Sequence, residues 1–168
     1  MYRTGHYGAA LLTYAPVGAA LLVAGFGAAA VAGGAGVLAL ARVPDYDLRV
    51  PLVSHRGPTH TLAFALLVGT VLGGALGALA GTAAPGRAVA LGAFGFVVGV
   101  LAVGSHLLAD ALTPAGVEPF WPLSSKNYSL DLVGADSTIG NYGLLALGVF
   151  VSATTLLLGG QLEQVPVL

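Results

Sequence analysis

Residues 8–41 form a run of 34 without one charged side chain. As a single helix the run would be about 50 Å long at ~1.5 Å per residue, against a bilayer core of about 30 Å. Two helices turning somewhere between Gly25 and Gly36 resolve the mismatch. The remaining sequence has the same texture. Charged residues are 8 % of the chain, against about 25 % in soluble domains, and several further stretches of about 18 residues carry no charge. The expectation is an all-α, polytopic transmembrane bundle forming one domain over residues 1–168, with helices near 6–24, 27–42, 58–81, 86–113 and 140–160. Pro44 disfavours a helical Val43, Pro58 suits a first helical turn, and Pro114 stops the fourth helix.

Several function classes drop out. A net charge of −1 without a basic, aromatic-interleaved patch excludes a nucleic-acid partner. The absence of cysteine excludes disulfides and thiolate metal sites. Small residues near Ala28–Ala32 mimic a leader cleavage site, but the preceding apolar run exceeds the short core of a cleavable leader.

Against this background residues 42–60 stand out. They hold Arg42, Asp45, Asp47, Arg49, His55, Arg56 and His60, out of only six basic, seven acidic and four histidine residues in the chain. Counting spans explains how such an island is used. If the first two helices form a hairpin, His6 opens the first on one face and Asp45 and Asp47 follow the second on that same face. His55 and His60 precede the third, and His106 and Asp110 end the fourth there too. Arg3, Arg42, Arg49, Arg56 and Lys126 share this face, leaving only Arg87 opposite. Short loops rich in Lys and Arg stay cytoplasmic, which puts the face in the cytoplasm and the C-terminus outside.

His106 and Asp110, four apart on a helix, point the same way, and serve either as ligands or as a hydrogen-bonded tie between helices. His60 is expected in the first turn of the third helix and His55 just before it, with the bend bringing them together. Asp45 and Asp47 flank Tyr46. In an extended segment both face one side, so that both reach one ion or one orients a histidine from behind. Glu118, Asp131, Asp136 and Glu163 read as ordinary interfacial or tail charges, and Phe120-Trp121 as an interfacial anchor. Gly69, Gly73, Gly77 and Gly81 repeat every four residues, a small-residue ridge for close helix approach inside the bundle or in a homodimer.

These residues carry a family pattern. The chain resembles the YdjM-like family of membrane-bound metal-dependent hydrolases through Gly5-His6, Pro44-Asp45-Tyr46-Asp47, His55-Arg56-Gly57-Pro58-Thr59-His60-Thr61, the stretch from Ser105 to Val117 containing His106, Asp110, Thr113-Pro114 and Gly116, and Trp121-Pro122-Leu123. The resemblance covers residues 5 to 123 in order, and the last span matches in hydrophobicity alone. It implies a small inner-membrane protein whose hydrolase assignment itself rests on motif. Family members commonly have Ser where this chain has Thr61, which keeps the hydroxyl.

His6, Asp45, His55, His60, His106 and Asp110 are thus the expected metal ligands, for one or two divalent ions. With no sulfur available, Zn is the leading choice, with Mn, Fe or Ni as alternatives. Such an ion lowers the pKa of a bound water, the chemistry of ester or phosphoester hydrolysis. Arg56 and Asp47 are the expected catalytic residues, Arg56 holding a phosphate or developing anionic oxygen. The expected partners are the lipid bilayer and a lipid or phosphorylated substrate. Two other functions compete: a metal or proton transporter, and a membrane scaffold with a structural metal.

Overall fold

The computed structural model describes residues 1–51, 54–81 and 84–162, the last by its backbone. Five α-helices follow one another, α1 (Arg3–Val23), α2 (Gly27–Leu40), α3 (Leu62–Leu79), α4 (Pro85–Ala111) and α5 (Thr138–Leu162), with 3-10 turns at Pro44–Arg49 and Pro58–His60. Each span is long and apolar enough to cross a bilayer, α2 together with the turn that follows it. No strand forms among the described residues; one isolated bridge pairs Val117 with Tyr128 in the loop before α5.

The hairpin expected within 8–41 is present, and its turn is tight. Gly25 adopts φ +79°, where a Cβ would strain the backbone. The Gly25 N–H donates to Leu22 O at 2.9 Å and the Phe26 N–H to Leu21 O at 2.8 Å. This crossed pair satisfies the orphan carbonyls at the end of α1 and lets α2 start two residues later.

The third helix departs from expectation. Pro58 starts a separate 3-10 turn ending at His60, and α3 begins only at Leu62. The break is Thr61, whose extended backbone (φ −127°, ψ 158°) and side chain make it the N-cap, accepting from the Phe64 N–H at 3.1 Å. Thr61 Oγ1 also donates to Pro58 O at 2.8 Å, tying the turn to the helix. A hydroxyl is therefore required here. Thr61→Ala is expected to lower stability by about 1 kcal/mol, while Thr61→Ser stays near wild type in a thermal unfolding series.

Glycine decides how the spans pair. Cβ atoms built on Gly69, Gly73 and Gly77 of α3 would meet Phe96 O at 2.9 Å, Gly92 O at 2.6 Å and Ala88 O at 3.2 Å, all on α4. A Cβ on Gly99 would lie 2.7 Å from the Gly69 Cα. The every-fourth-residue ridge is thus consumed inside the chain. Of the four positions expected on the ridge, Gly69, Gly73 and Gly77 face α4 rather than a second copy, and Gly81 lies past α3 at φ +74°. The same device joins α1 to α5, where a Cβ on Gly148 would come 2.6 Å from Gly8 O.

Between these pairs lies an apolar core of Ala10, Tyr14, Val37, Ala41, Val98 and Ala102 from α1, the end of α2 and α4. Tyr14 donates its hydroxyl to Ala30 O at 2.9 Å, which satisfies its polar tip in the core. Large side chains face outward instead, with Leu79, Leu157 and Phe150 all exposed toward lipid. Small residues inside and large ones outside is the packing that lipid favours. Above the apolar core, at one end of the bundle, sit the largest fully buried side chains: His6, His60 and His106.

Candidate metal centre

The ends of four elements build this polar layer. The last turns of α4 present His106 and Asp110 on one face, as their four-residue spacing requires. The start of α1 contributes His6, and the two 3-10 turns contribute Asp45 with Asp47 and His60. Asp45 and Asp47 therefore do not alternate along an extended segment. The 3-10 turn sends their side chains to different places.

Each of the two central imidazoles has its protonation fixed by what lies behind it. His106 Nδ1 lies 2.8 Å from Ala41 O, a carbonyl left free where α2 ends, so this nitrogen donates. His60 Nδ1 lies 3.3 Å from Asp47 Oδ2 and 3.0 Å from Thr59 Oγ1. Thr59 gives its own proton to Asp47 Oδ2 at 2.8 Å, so His60 Nδ1 donates as well. In the neutral form of each ring Nε2 then carries the lone pair, and the two Nε2 atoms lie 3.1 Å apart. Two acceptors at this distance repel unless a cation stands with them.

The surrounding oxygens fit that cation. Asp45 Oδ1 is 3.5 Å from His106 Nε2 and 3.9 Å from His60 Nε2, and Asp110 Oδ2 is 3.4 Å and 3.6 Å from the same two atoms. Bonds of about 2.0–2.2 Å to a tetrahedral zinc ion put its ligands roughly 3.3–3.6 Å apart. The donor set of two imidazole nitrogens and two carboxylate oxygens matches a borderline divalent ion in type as well. Of these, the buried His60, His106 and Asp110 each offer one ligand atom within 4.8 Å of the others and could hold a metal ion.

The other expected ligands sit beside this group. The His6 ring stacks on His106 at 3.8 Å between centroids, its Nε2 is 3.8 Å from Asp110 Oδ1, and its Nδ1 is buried without a partner among the described residues. His6, Asp45 and His106 form a second set of donors within 4.8 Å of one another, and Asp45, His55 and His60 a third. His55 is the outermost, with a side chain 40 % exposed and its Nδ1 bonded to Asp47 Oδ1 at 2.9 Å. Asp47 itself is buried behind His55 and His60, where both oxygens are engaged, Oδ2 also accepting the Arg56 N–H at 3.2 Å. It holds imidazoles rather than facing the space between them. Glu118, Asp131 and Asp136 belong to none of these sets, and Glu163 lies outside the described residues.

The carboxylates are backed by arginines. Asp110 turns Oδ1 to Arg56 Nη2 at 3.0 Å and to the Met1 ammonium at 3.0 Å. Asp45 turns Oδ2 toward Arg42 Nε at 4.0 Å. Arg56 has φ +62°, a conformation that costs a non-glycine residue about 1–3 kcal/mol and clusters at functional sites. It is held there by its N–H on Asp47 and by Nη1 on Gly116 O at 2.7 Å. A Cβ on Gly116 (φ +62°) would collide with Asn127 Oδ1, so this carbonyl's position depends on glycine.

Sequence reasoning missed four participants. Thr59, Ala41 O and Gly116 O fix the orientation of His60, His106 and Arg56, and Asn141 Oδ1 accepts the Tyr2 N–H at 2.8 Å to pin the start of α1. Thr59 and Gly116 lie inside the two motifs and were visible there without a role. The Ala41 carbonyl and Asn141 leave no signal in the sequence.

Burial holds the His60 pKa down from 6.5 to about 4, helped by His106 beside it and opposed by Asp110 and Asp47. A neutral imidazole is the form a metal needs. In the unfolded chain His60 takes a proton already near pH 6.5. The unfolded state therefore binds more protons between about pH 6.5 and 4, so acid favours unfolding. Metal-free protein is expected to lose melting temperature across this window, and His60→Gln to flatten the loss.

A five-helix membrane bundle that closes a buried His/Asp layer at one end defines the class of protein. The chain belongs to the YdjM inner membrane protein family, whose model matches residues 1–164. No curated protein and no solved structure matches the chain.

Proposed function

We propose that this protein is a metal-dependent hydrolase that acts on an ester or phosphoester at the cytoplasmic surface of the inner membrane. The observation that carries the reading is the pair of Nε2 atoms of His60 and His106, 3.1 Å apart and each within 4 Å of a carboxylate oxygen of Asp45 and of Asp110. A divalent cation supplies Lewis acidity and an acidified water at such a donor set. The chain's own residues do the rest. Asp47 and the Ala41 carbonyl hold the imidazoles in the ligating tautomer, and Arg56, 19 % exposed, lies at the open side where an anionic oxygen can be met. Arg3 at the start of α1 and Arg42, Arg49, Arg56 and Lys126 in the loops lie on the side of the layer, which favours a cytoplasmic orientation.

The test combines metal analysis of detergent-purified protein with a panel of chromogenic phosphomonoesters, phosphodiesters and carboxylic esters. Stoichiometric Zn, Mn, Fe or Ni is expected, with turnover lost on chelation and regained on adding the metal back. Metal content that survives His60→Ala and His106→Ala together would refute the reading. A structural ion is the second reading, favoured by ligands drawn from four separate elements. It predicts that chelation lowers the melting temperature while no member of the panel is turned over.

A further inference from the structure

The loops around the buried layer expose large apolar side chains among their polar ones. Tyr46, Leu48 and Val50 on one side and Phe120, Leu123 and Leu132 on the other are all exposed, and none belongs to an α-helix. Such side chains beyond the helix ends belong in the bilayer interface. The layer of histidines and carboxylates therefore opens at headgroup depth.

Below it, α1, α2 and α5 enclose an open apolar groove of about 270 Å³ lined by Leu11, Gly18 and Leu22, by Ala35 and Leu38, and by Leu156. From Leu11 to Leu22 the groove follows α1 for about 16 Å at ~1.5 Å per residue, close to half of a ~30 Å hydrocarbon core. It starts five residues past His6 and ends at Leu22, one residue before α1 ends, so it runs through the bilayer interior toward the face opposite the layer. On α2 the lining steps through Val31, Ala35 and Leu38, and the next step of three or four residues is Arg42. Ala41 keeps helical dihedrals (φ −54°, ψ −21°), so Arg42 continues the stripe at the top of the groove. Its Nε is buried without a hydrogen-bond partner among the described residues, 4.0 Å from Asp45 Oδ2, while its side chain is 36 % exposed. Asp45 Oδ1 in turn lies 3.5 Å from His106 Nε2.

An apolar slot, the Arg42 cation one helical turn beyond its Leu38 end and the candidate metal centre thus follow one another along the bundle. We propose that the substrate is a phosphate-bearing membrane lipid, with one acyl chain in the α1/α2/α5 groove and its phosphate on Arg42. The proposal rests on the hydrolase reading for what happens to the lipid, and not for where the lipid lies.

The experiment reads position rather than turnover. Protein in maltoside micelles receives phosphatidic acid carrying a diazirine near the end of one acyl chain, and crosslinked peptides are mapped by mass spectrometry. Labelling is expected on the groove segments of α1, α2 and α5, displaced by unlabelled phosphatidic acid and untouched by excess glycerol phosphate. Diacylglycerol with the same diazirine should label about tenfold less, the factor that one charge-assisted hydrogen bond supplies. Arg42→Gln should bring phosphatidic acid down to that level. Gly34→Leu should close the groove, since a Cβ there meets only the Tyr14 ring at an ordinary 3.6 Å. Ala35→Phe serves if that variant fails to fold. Labelling spread over all lipid-facing helices, equal labelling by the two probes, or displacement by glycerol phosphate would overturn the proposal. Because the metal-free protein should label equally well, absence of metal or turnover refutes only the hydrolase reading.

Discussion

Asp110→Ala is expected to leave the purified protein without bound metal. The carboxylate places Oδ2 at 3.4 Å and 3.6 Å from the two central imidazoles while Oδ1 holds Arg56. Removing it deletes one of four donors and leaves a guanidinium beside the imidazoles, so charge repulsion adds to the lost bond. Inductively coupled plasma mass spectrometry should report a fall from stoichiometric metal to background. Asp47→Asn provides the contrast. Asp47 touches the site through His55, the Arg56 N–H, Thr59 and His60, and offers no oxygen to the space between the imidazoles. Its neutral isostere should retain metal with an affinity roughly 10–100-fold weaker, the usual cost of losing a partner behind a ligand. Equal metal loss in the two variants would show that the distinction between ligand and support is misplaced.

The second large effect concerns the α3/α4 contact. Gly99→Ala is expected to cost about 1–3 kcal/mol, because the new methyl meets backbone rather than a side chain that can rotate away. Its position is 2.7 Å from the Gly69 Cα and 2.9 Å from the Gly69 N. Gly74→Ala makes the same chemical change on α3 where nothing lies within 4 Å, and should gain up to about 1 kcal/mol from helix propensity. Unfolding in mixed micelles should separate the two variants in opposite directions from wild type. Two losses of similar size would mean that α3 and α4 are not packed through this glycine seam.

Much of this architecture was legible from charge alone. Five apolar spans followed from the spacing of ionisable residues, and the hairpin in 8–41 followed from bilayer thickness. Once the hairpin is granted, the convergence of His6, Asp45, His55, His60, His106 and Asp110 on one face is a matter of parity. What parity cannot supply is local geometry. The 3-10 turns at Pro44–Arg49 and Pro58–His60 arise because each starts with a proline and is held by side chains distant in sequence. They turn Asp47 behind the histidines and leave Asp45 in front, a division that two aspartates around one tyrosine do not announce. The glycine ridge was legible as a seam but not as to its partner, since Gly92, Gly95 and Gly99 offer α4 a complementary surface in the same chain. Arg56 was singled out for its neighbours. Its bond to the Gly116 carbonyl depends on a bridge across residues 117–128 that short-range pattern does not reveal.

The donors of the central group are spread from Asp45 to Asp110, with His6 stacked on them from the first span. During synthesis the first three spans leave the ribosome with their imidazoles and carboxylates still apart, and only delivery of α4 brings His106 and Asp110 to meet them. An ion held by His60, His106 and Asp110 would therefore be captured only after α4 has inserted with the right orientation. A chain whose hairpin failed to turn would place His6 across the bilayer and strip His106 of the ring stacked on it. Loading of an ion at this group would double as a checkpoint on membrane topology.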